Sequence, residues 1–298
     1  MDLTTGLPRK TRDIHNHHMD STVWDDFEFR DDDVVVGTYA KSGTTWTQQI
    51  VSQILLGPDP DLKVSELSIW LDMRIPAKEV KYALLKAQPH RRVIKTHLPV
   101  DALRFSGKAK YIYIARDGRD VMWSMYNHHA NANDIWYSAL NDTPGRIGPP
   151  IDPPPGDVCL YFREWLAGDG FPFWSFWENI RTWWEVRDLP NVKLLHFAEL
   201  KRDAAGKMRE IAQFLDVDIA PADWSRIEEY SSFDWMKANA AKSTPGGGAF
   251  FKGGAATFIN KGVNGRWHDV LPEADSAAYE ARARAELGDE CAAWLAQQ

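Results

Sequence analysis

Between a β-branched run and an amphipathic one lies Tyr39-Ala40-Lys41-Ser42-Gly43-Thr44-Thr45-Trp46, whose residue types suit the binding of an anion. A strand-to-helix junction leaves backbone N–H groups without partners at the positive end of the helix dipole, and phosphate esters settle there. Gly43 lets the backbone approach an anion closely, and the hydroxyls of Ser42, Thr44 and Thr45 add donors. A helix N-cap alone would account for Ser42 or Thr44, but it gives no reason for Lys41 and the paired threonines. The order of residues also departs from a nucleoside-triphosphatase loop, in which Gly-Lys-Ser/Thr closes the loop and the hydroxyl holds magnesium. Here the lysine precedes the glycine, and no Gly-Lys-Ser/Thr triplet occurs anywhere in the chain.

Charge points the same way. The chain carries −7 overall, which argues against a general nucleic-acid binder. Residues 81–119 nevertheless hold ten lysines and arginines against two acids, Asp101 and Asp117. A cationic island in an acidic protein suits a small anionic ligand. Lys95 and His97 lie in this island two residues apart, so on an extended segment their side chains point the same way.

These residues need a frame. Asp33–Tyr39 (DVVVGTY) reads as a buried strand and Thr44–Leu56 as a helix ending at Gly57-Pro58. Arg92–Thr96, Lys110–Ala115 and Val192–His196 read as further strands; helices are expected from Asp117 to about His129 and over Lys207–Leu215. Strands alternating with helices predict an α/β fold, a central parallel sheet flanked by helices. Trp174, Trp177, Trp183 and Trp184 are expected on one helix. Pro144–Gly156, with six prolines, reads as a loop or lid. The opening twenty or so residues, with His15, His17 and His18, lack periodicity and are expected to lie flexible on the surface. No linker divides the chain, so residues 1–298 are read as one domain.

Composition sets the outer bounds. Apolar residues make up 44% and charged residues 26%, an ordinary globular balance. Cys159 and Cys291 cannot make a disulfide scaffold, which fits a reducing, cytoplasmic compartment. No apolar stretch approaches the ~20 residues of a membrane span. No spacing typical of metal ligands occurs, so no metal is expected.

Five segments, in order over roughly residues 30–270, resemble the cytosolic-type sulfotransferases that use 3′-phosphoadenosine 5′-phosphosulfate (PAPS), with a bacterial-like aryl or alcohol sulfotransferase as the nearest description. They are Lys41–Trp46 (KSGTTW), Arg92–Pro99 (RVIKTHLP), Tyr113–Ser124 (YIARDGRDVMWS), Ser231-Ser232-Phe233 with Met236-Lys237, and Lys261–Trp267 (KGVNGRW). The resemblance implies a P-loop-like cradle for the 5′-phosphosulfate and transfer of the sulfuryl group to a hydroxyl, leaving adenosine bisphosphate (PAP). It implies Lys41 at the bridging oxygen, Lys95 on the sulfuryl and phosphate oxygens, and His97 as general base. Ser42, Gly43, Thr44 and Thr45 would hold the 5′-phosphate, and Trp46, Phe197, Ser231 and Phe233 the adenine side. Arg116, Ser124, Asn260, Lys261 and Gly262 would bind the 3′-phosphate. A sulfuryl group carries a single negative charge in transfer, so lysines rather than a metal can balance the leaving phosphate.

Three departures accompany the resemblance. Asn260 stands where the family commonly has arginine; Phe197-Ala198-Glu199 replaces a Tyr-Glu-Asp-like segment; and no Lys-Thr-Val dimer signature is recognisable, leaving homo-oligomers open. The acceptor is expected to be a small hydrophobic or aromatic hydroxyl compound, a phenol, alcohol or lipid, with Trp123, Tyr126, Trp136 and Trp174 as first candidates for its pocket. Arg119 reads as a solvated turn residue, and His128 and the opening histidines as surface or core residues. A nucleotide kinase or triphosphatase, or a non-catalytic nucleotide-binding protein, are the competing readings.

Overall fold

The computed structural model describes residues 6–298. Strands β1 (Asp33–Thr38), β2 (Ile69–Trp70), β3 (Val93–Thr96), β4 (Ala109–Ala115) and β5 (Val192–His196) form one parallel sheet in the order β2-β3-β1-β4-β5. Every residue of β1 is buried, as the unalternating Val34-Val35-Val36 requires of a central strand covered on both faces. A buried ion pair pins its start to that of β3: Arg92 Nε lies 2.8 Å from Asp33 Oδ1, with both side chains almost wholly enclosed.

Along the chain the helices are α1 (Thr44–Leu56), α2 (Gly118–Ala130), α3 (Asp134–Asn141), α4 (Val158–Ala167), α5 (Phe176–Glu185), α6 (Phe197–Arg202), α7 (Ala204–Phe214), α8 (Phe233–Ala238) and α9 (Glu273–Leu295), among shorter turns. Side-chain alternation on the strands sorts the two covers. Val34, Val36, Ile112 and Ile114 face one side with Ile50, Val51 and Ile54 of α1 and Met208 and Ile211 of α7. Val35, Ile94, Tyr111 and Tyr113 face the other with Trp165 of α4 and Trp177, Ile180 and Trp183 of α5. Trp183 stacks on Tyr113 at 4.9 Å and lies so close to β1 that a Cβ on Gly37 would stand 2.6 Å from its ring.

Several local expectations are corrected. Trp174 stands before α5, which starts at Phe176 after an N-cap, Ser175, whose hydroxyl accepts from Glu178 N. The helix expected over Lys207–Leu215 begins earlier, at Ala204, since the Asp203 carboxylate accepts from Gly206 N, and α6 stands between it and β5. The described part of the opening stretch lies on the surface only up to Asn16: Met19 is fully buried and His17 and His18 nearly so. Its lack of periodicity reflects a turn held by side-chain bonds, Asn16 Oδ1 accepting from both His18 N and Met19 N at 2.8 Å. Residues 1–5 of that stretch lie outside the described residues. The proline-rich loop is anchored at Ile151, buried against Trp136 and Leu140 of α3. Both of its backbone polar groups bond to the Asn141 amide, at 3.0 and 2.9 Å.

Candidate active site

Five residues turn the chain from β1 into α1. Lys41 has φ 67° and Gly43 φ 114°, left-handed conformations that are rare outside glycine and that cluster where a loop must take a functional shape. The loop is pressed from beneath: a Cβ on Gly43 would meet the Phe197 ring at 2.9 Å and Ile114 at 3.2 Å. No side chain caps α1, so its first N–H groups have no acceptor within the protein's own helix. Among the described residues Ser42 Oγ has no hydrogen-bond partner though it is buried, and the same holds for Ser231 Oγ. Buried hydroxyls left unpaired in this way are a place for a ligand's acceptors.

Three cations converge on the loop. Burial, and then the charges of Lys95 and Arg116, pushes the Lys41 ammonium down to about 7. Burial brings Lys95 down to about 8, against the pull of Asp72. Lys41 lies over the Phe258 ring at 4.3 Å and Lys95 over Trp70 at 4.2 Å. Among the described residues neither lysine has a salt bridge, so an arriving anion meets two amines free to pair with it.

His97 follows β3 and is buried. Its Nδ1 lies 2.7 Å from the Thr38 carbonyl oxygen, which can only accept, so Nδ1 carries the hydrogen and Nε2 keeps its lone pair. The Thr38 hydroxyl stands 3.1 Å from the same nitrogen and 2.7 Å from the Thr44 hydroxyl, joining imidazole and phosphate loop through one residue. Burial, with Lys95 and Lys41 nearby, holds the imidazole well below its ordinary range, hence neutral. Its backbone is fixed too: the carbonyl accepts from Asn179 Nδ2 at 2.9 Å and the N–H donates to Asp72 at 3.2 Å. Asp72 also accepts from the Trp70 indole at 2.7 Å. Neither Asp72 nor Asn179 was singled out from the sequence; each acts across a long chain separation, where no local motif signals it.

The C-terminal segment closes the other end. Arg116 donates to Val263 O at 2.8 Å and to Asn264 Oδ1 at 3.0 Å, its guanidinium 4.4 Å over Phe197. Lys201 donates to Gly262 O at 2.6 Å and Lys237 to Ile259 O at 2.8 Å, while Asp120 accepts from Gly265 N. Gly262 needs its lack of a side chain, for a Cβ there would stand 2.6 Å from the Phe233 ring. Lys41, Ser124, His128, Phe258 and Asn260 line one narrow cleft. Trp46 donates to Ser231 O at 2.8 Å and meets the Phe197 ring edge-on at 5.6 Å, so three of the residues expected on the adenine side are brought together, with Phe197 also under the loop and under Arg116. Lys261 is exposed. Arg119 is not a solvated turn residue: it is buried, paired with Asp117 at 2.6 Å and lying 3.9 Å over Trp267.

A cage of rings continues from His97. Trp70 meets it edge-on at 4.7 Å and Trp174 stacks at 5.6 Å. His18, Trp136 and Phe173 extend the cage, and His128 joins it through Trp136 at 5.9 Å. Of the four aromatic residues expected here, Trp136 and Trp174 belong to it. Trp123 and Tyr126 are not in direct contact with its rings: Trp123 lies under Arg266, and Tyr126, whose hydroxyl donates to Gly156 O in the proline-rich loop at 3.0 Å, connects to the cage through Tyr161 and His129. His18 and His128 were taken as surface or core residues, and their place in the cage is visible only in three dimensions.

A parallel sheet with an anion-binding turn after its central strand, lysines at that turn and a neutral imidazole beside them define a group-transfer enzyme for an anionic nucleotide donor. The chain belongs to the sulfotransferase family, whose domain it matches over residues 31–290, and it is a PAPS-dependent sulfotransferase. A glycolipid sulfotransferase of Mycobacterium bovis is 31% identical, over 92% of this chain and 91% of that one. Mouse sulfotransferase 1B1 is 30% identical, over 86% and 83%. The fold matches that of mouse sulfotransferase SULT7A1 complexed with PAP, with a TM-score of 0.72 at 24% identity and 92% coverage of both chains. Retinol dehydratase in complex with androsterone and PAP superposes with a TM-score of 0.70 at 23% identity, over 90% of this chain and 84% of that one. Among the described residues no helix is long and apolar enough to cross a membrane, and no three His, Cys, Asp or Glu side chains converge as metal ligands.

Proposed function

We propose that the chain transfers the sulfuryl group to a hydroxyl of a small acceptor with a hydrophobic or aromatic body, and that His97 is the general base. The observation that carries this reading is the imidazole itself, neutral, its Nδ1–H committed to the Thr38 carbonyl and its Nε2 left with a lone pair among aromatic rings. PAPS supplies the sulfuryl group. The orphaned Ser42 hydroxyl, the N–H groups that open α1, Lys41, Lys95 and Thr45 would hold its 5′ end. Ser124, Arg116, Asn260, Lys261 and Gly262 would hold the 3′-phosphate, and Trp46, Ser231 and Phe233 the adenine side, with Phe197 supporting the loop from below. His97 Nε2 takes the proton of the acceptor hydroxyl, while Lys41 and Lys95 set positive charge where negative charge grows. Indole and phenyl faces around His97 give an apolar acceptor body its contact area and keep water from the base. The relative named as a glycolipid sulfotransferase supports an alcohol hydroxyl as the target.

Replacing His97 by alanine tests the assignment with labelled donor and calorimetry of PAP. Turnover is expected to fall by roughly 10²–10⁴-fold, the usual worth of general acid–base catalysis, with PAP affinity nearly unchanged. Equal loss of both would make His97 a structural residue. A kinase reading has no support from the loop, whose lysine precedes its glycine.

A further inference from the structure

His18 reaches the acceptor side from the opening turn. Its ring lies 6.2 Å from Trp70, 5.6 Å from Trp174, 5.5 Å from Trp136 and 5.5 Å from Phe173. Trp70 and Trp174 are the same two indoles that flank His97. Two imidazoles therefore share one aromatic cage, each in contact with both Trp70 and Trp174.

The hydrogen bonds fix which nitrogen does what. His17 Nε2 stands 2.8 Å from the Pro172 carbonyl oxygen, which can only accept, so His17 carries its hydrogen there and its Nδ1 has a lone pair. That Nδ1 makes a short hydrogen bond with His18 Nδ1, which must then be the donor. The remaining nitrogen of His18, Nε2, is left as an acceptor, and among the described residues the fold supplies it no partner. Burial holds both rings below their ordinary range, which agrees with two neutral imidazoles. The backbone of His18 is equally fixed, its N–H on Asn16 Oδ1 at 2.8 Å and its carbonyl on Arg74 N at 2.6 Å. A phenylalanine would fill this cage with a ring but no lone pair. An acceptor nitrogen whose tautomer is fixed through His17 and the Pro172 carbonyl points to a hydrogen bond donated by something that enters.

We propose that His18 is a specificity-determining contact, accepting a hydrogen bond from a second hydroxyl of the acceptor, so that diols and polyols on a ring-bearing body are preferred to simple alcohols and phenols. The reacting hydroxyl addresses His97, the distant one His18, and the body lies against Trp70 and Trp174. This rests on the acceptor reading above.

Initial rates with labelled PAPS and two matched acceptors, 2-naphthol and a naphthalenediol (the 2,6 and 2,7 isomers), test it in the wild type, His18→Phe and His18→Gln. The wild type is expected to favour at least one diol by roughly tenfold in kcat/KM, beyond the factor of two its second hydroxyl supplies. In His18→Phe the ratio falls to about that statistical factor, and in His18→Gln, which keeps an acceptor, part of the preference returns. PAP-induced thermal stabilisation checks that each variant is folded. A wild-type ratio near the statistical factor, or a His18→Phe loss equal for both acceptors, overturns the contact while leaving the acceptor class intact. Absence of transfer to every compound by the wild type overturns the acceptor class and this contact with it.

Discussion

At the scale of single residues the site works by withholding partners. Ser42 Oγ and Ser231 Oγ are buried hydroxyls of the kind proteins normally satisfy internally, Lys41 and Lys95 are ammonium groups depressed by burial, and His97 and His18 each keep a lone pair on Nε2. Lys41 gives this a measurable form. With its ammonium down at about 7 in the ligand-free protein, it is largely neutral at pH 8, and a bound dianion restores its charge. The sign follows: a depressed lysine must gain a proton as the anion arrives. Calorimetry of PAP at pH 8 in buffers of different ionisation enthalpy is expected to report a net uptake of roughly one to two protons, most of it at Lys41 and the rest at Lys95, reduced in Lys41→Met. PAP binding with no proton exchange would contradict the burial argued for this lysine. Lys41, Lys95 and His97 were legible because each sits in a contiguous motif. Asp72, Asn179 and His18 were not, because their meaning lies in partners 25 or more residues away, such as His97 N for Asp72 and Trp70 for His18.

Elements decide whether those residues meet. The strand–loop–helix unit was readable because a buried parallel strand must be apolar throughout and the turn after it needs particular backbone conformations. Gly43 is the pivot, set at φ 114° against the Phe197 ring. An alanine there combines a disfavoured conformation with overlap, costing about 1–3 kcal/mol by the usual scale of such strain. Gly43→Ala is expected to lower the denaturant midpoint and weaken PAP together; an unchanged midpoint would show that the loop can retreat from Phe197. The ring cage shows the opposite case. Its members come from the opening turn, from β2, from α3 and from the segment before α5, so periodicity within any one of them says nothing about it. Trp123 and Tyr126 on α2 meet Arg266 and the proline-rich loop, and Tyr126 reaches the cage only by way of Tyr161 and His129.

For the whole molecule, net charge and local charge oppose each other. A chain at −7 sets Lys41, Lys95 and Arg116 close together, while most other cations of residues 81–119 pair elsewhere, so anion binding works against the field of the remainder and depends on those few nearby cations. Raising NaCl from roughly 0.05 to 0.5 M shortens the screening length from above 10 Å to a few ångströms and is expected to weaken PAP several-fold. Affinity independent of salt would mean that backbone N–H groups, not the cations, dominate. Chain-wide packing adds one more consequence. The indole of Trp183 fills the volume that a side chain on Gly37 would need, and its Nε1–H donates to Leu98 O, beside His97. Positions 37 and 183 are thus a single quota of atoms divided between a strand and a helix. A methyl gained at one has to be surrendered at the other, and sequence drift at these two sites must run in lockstep or not at all.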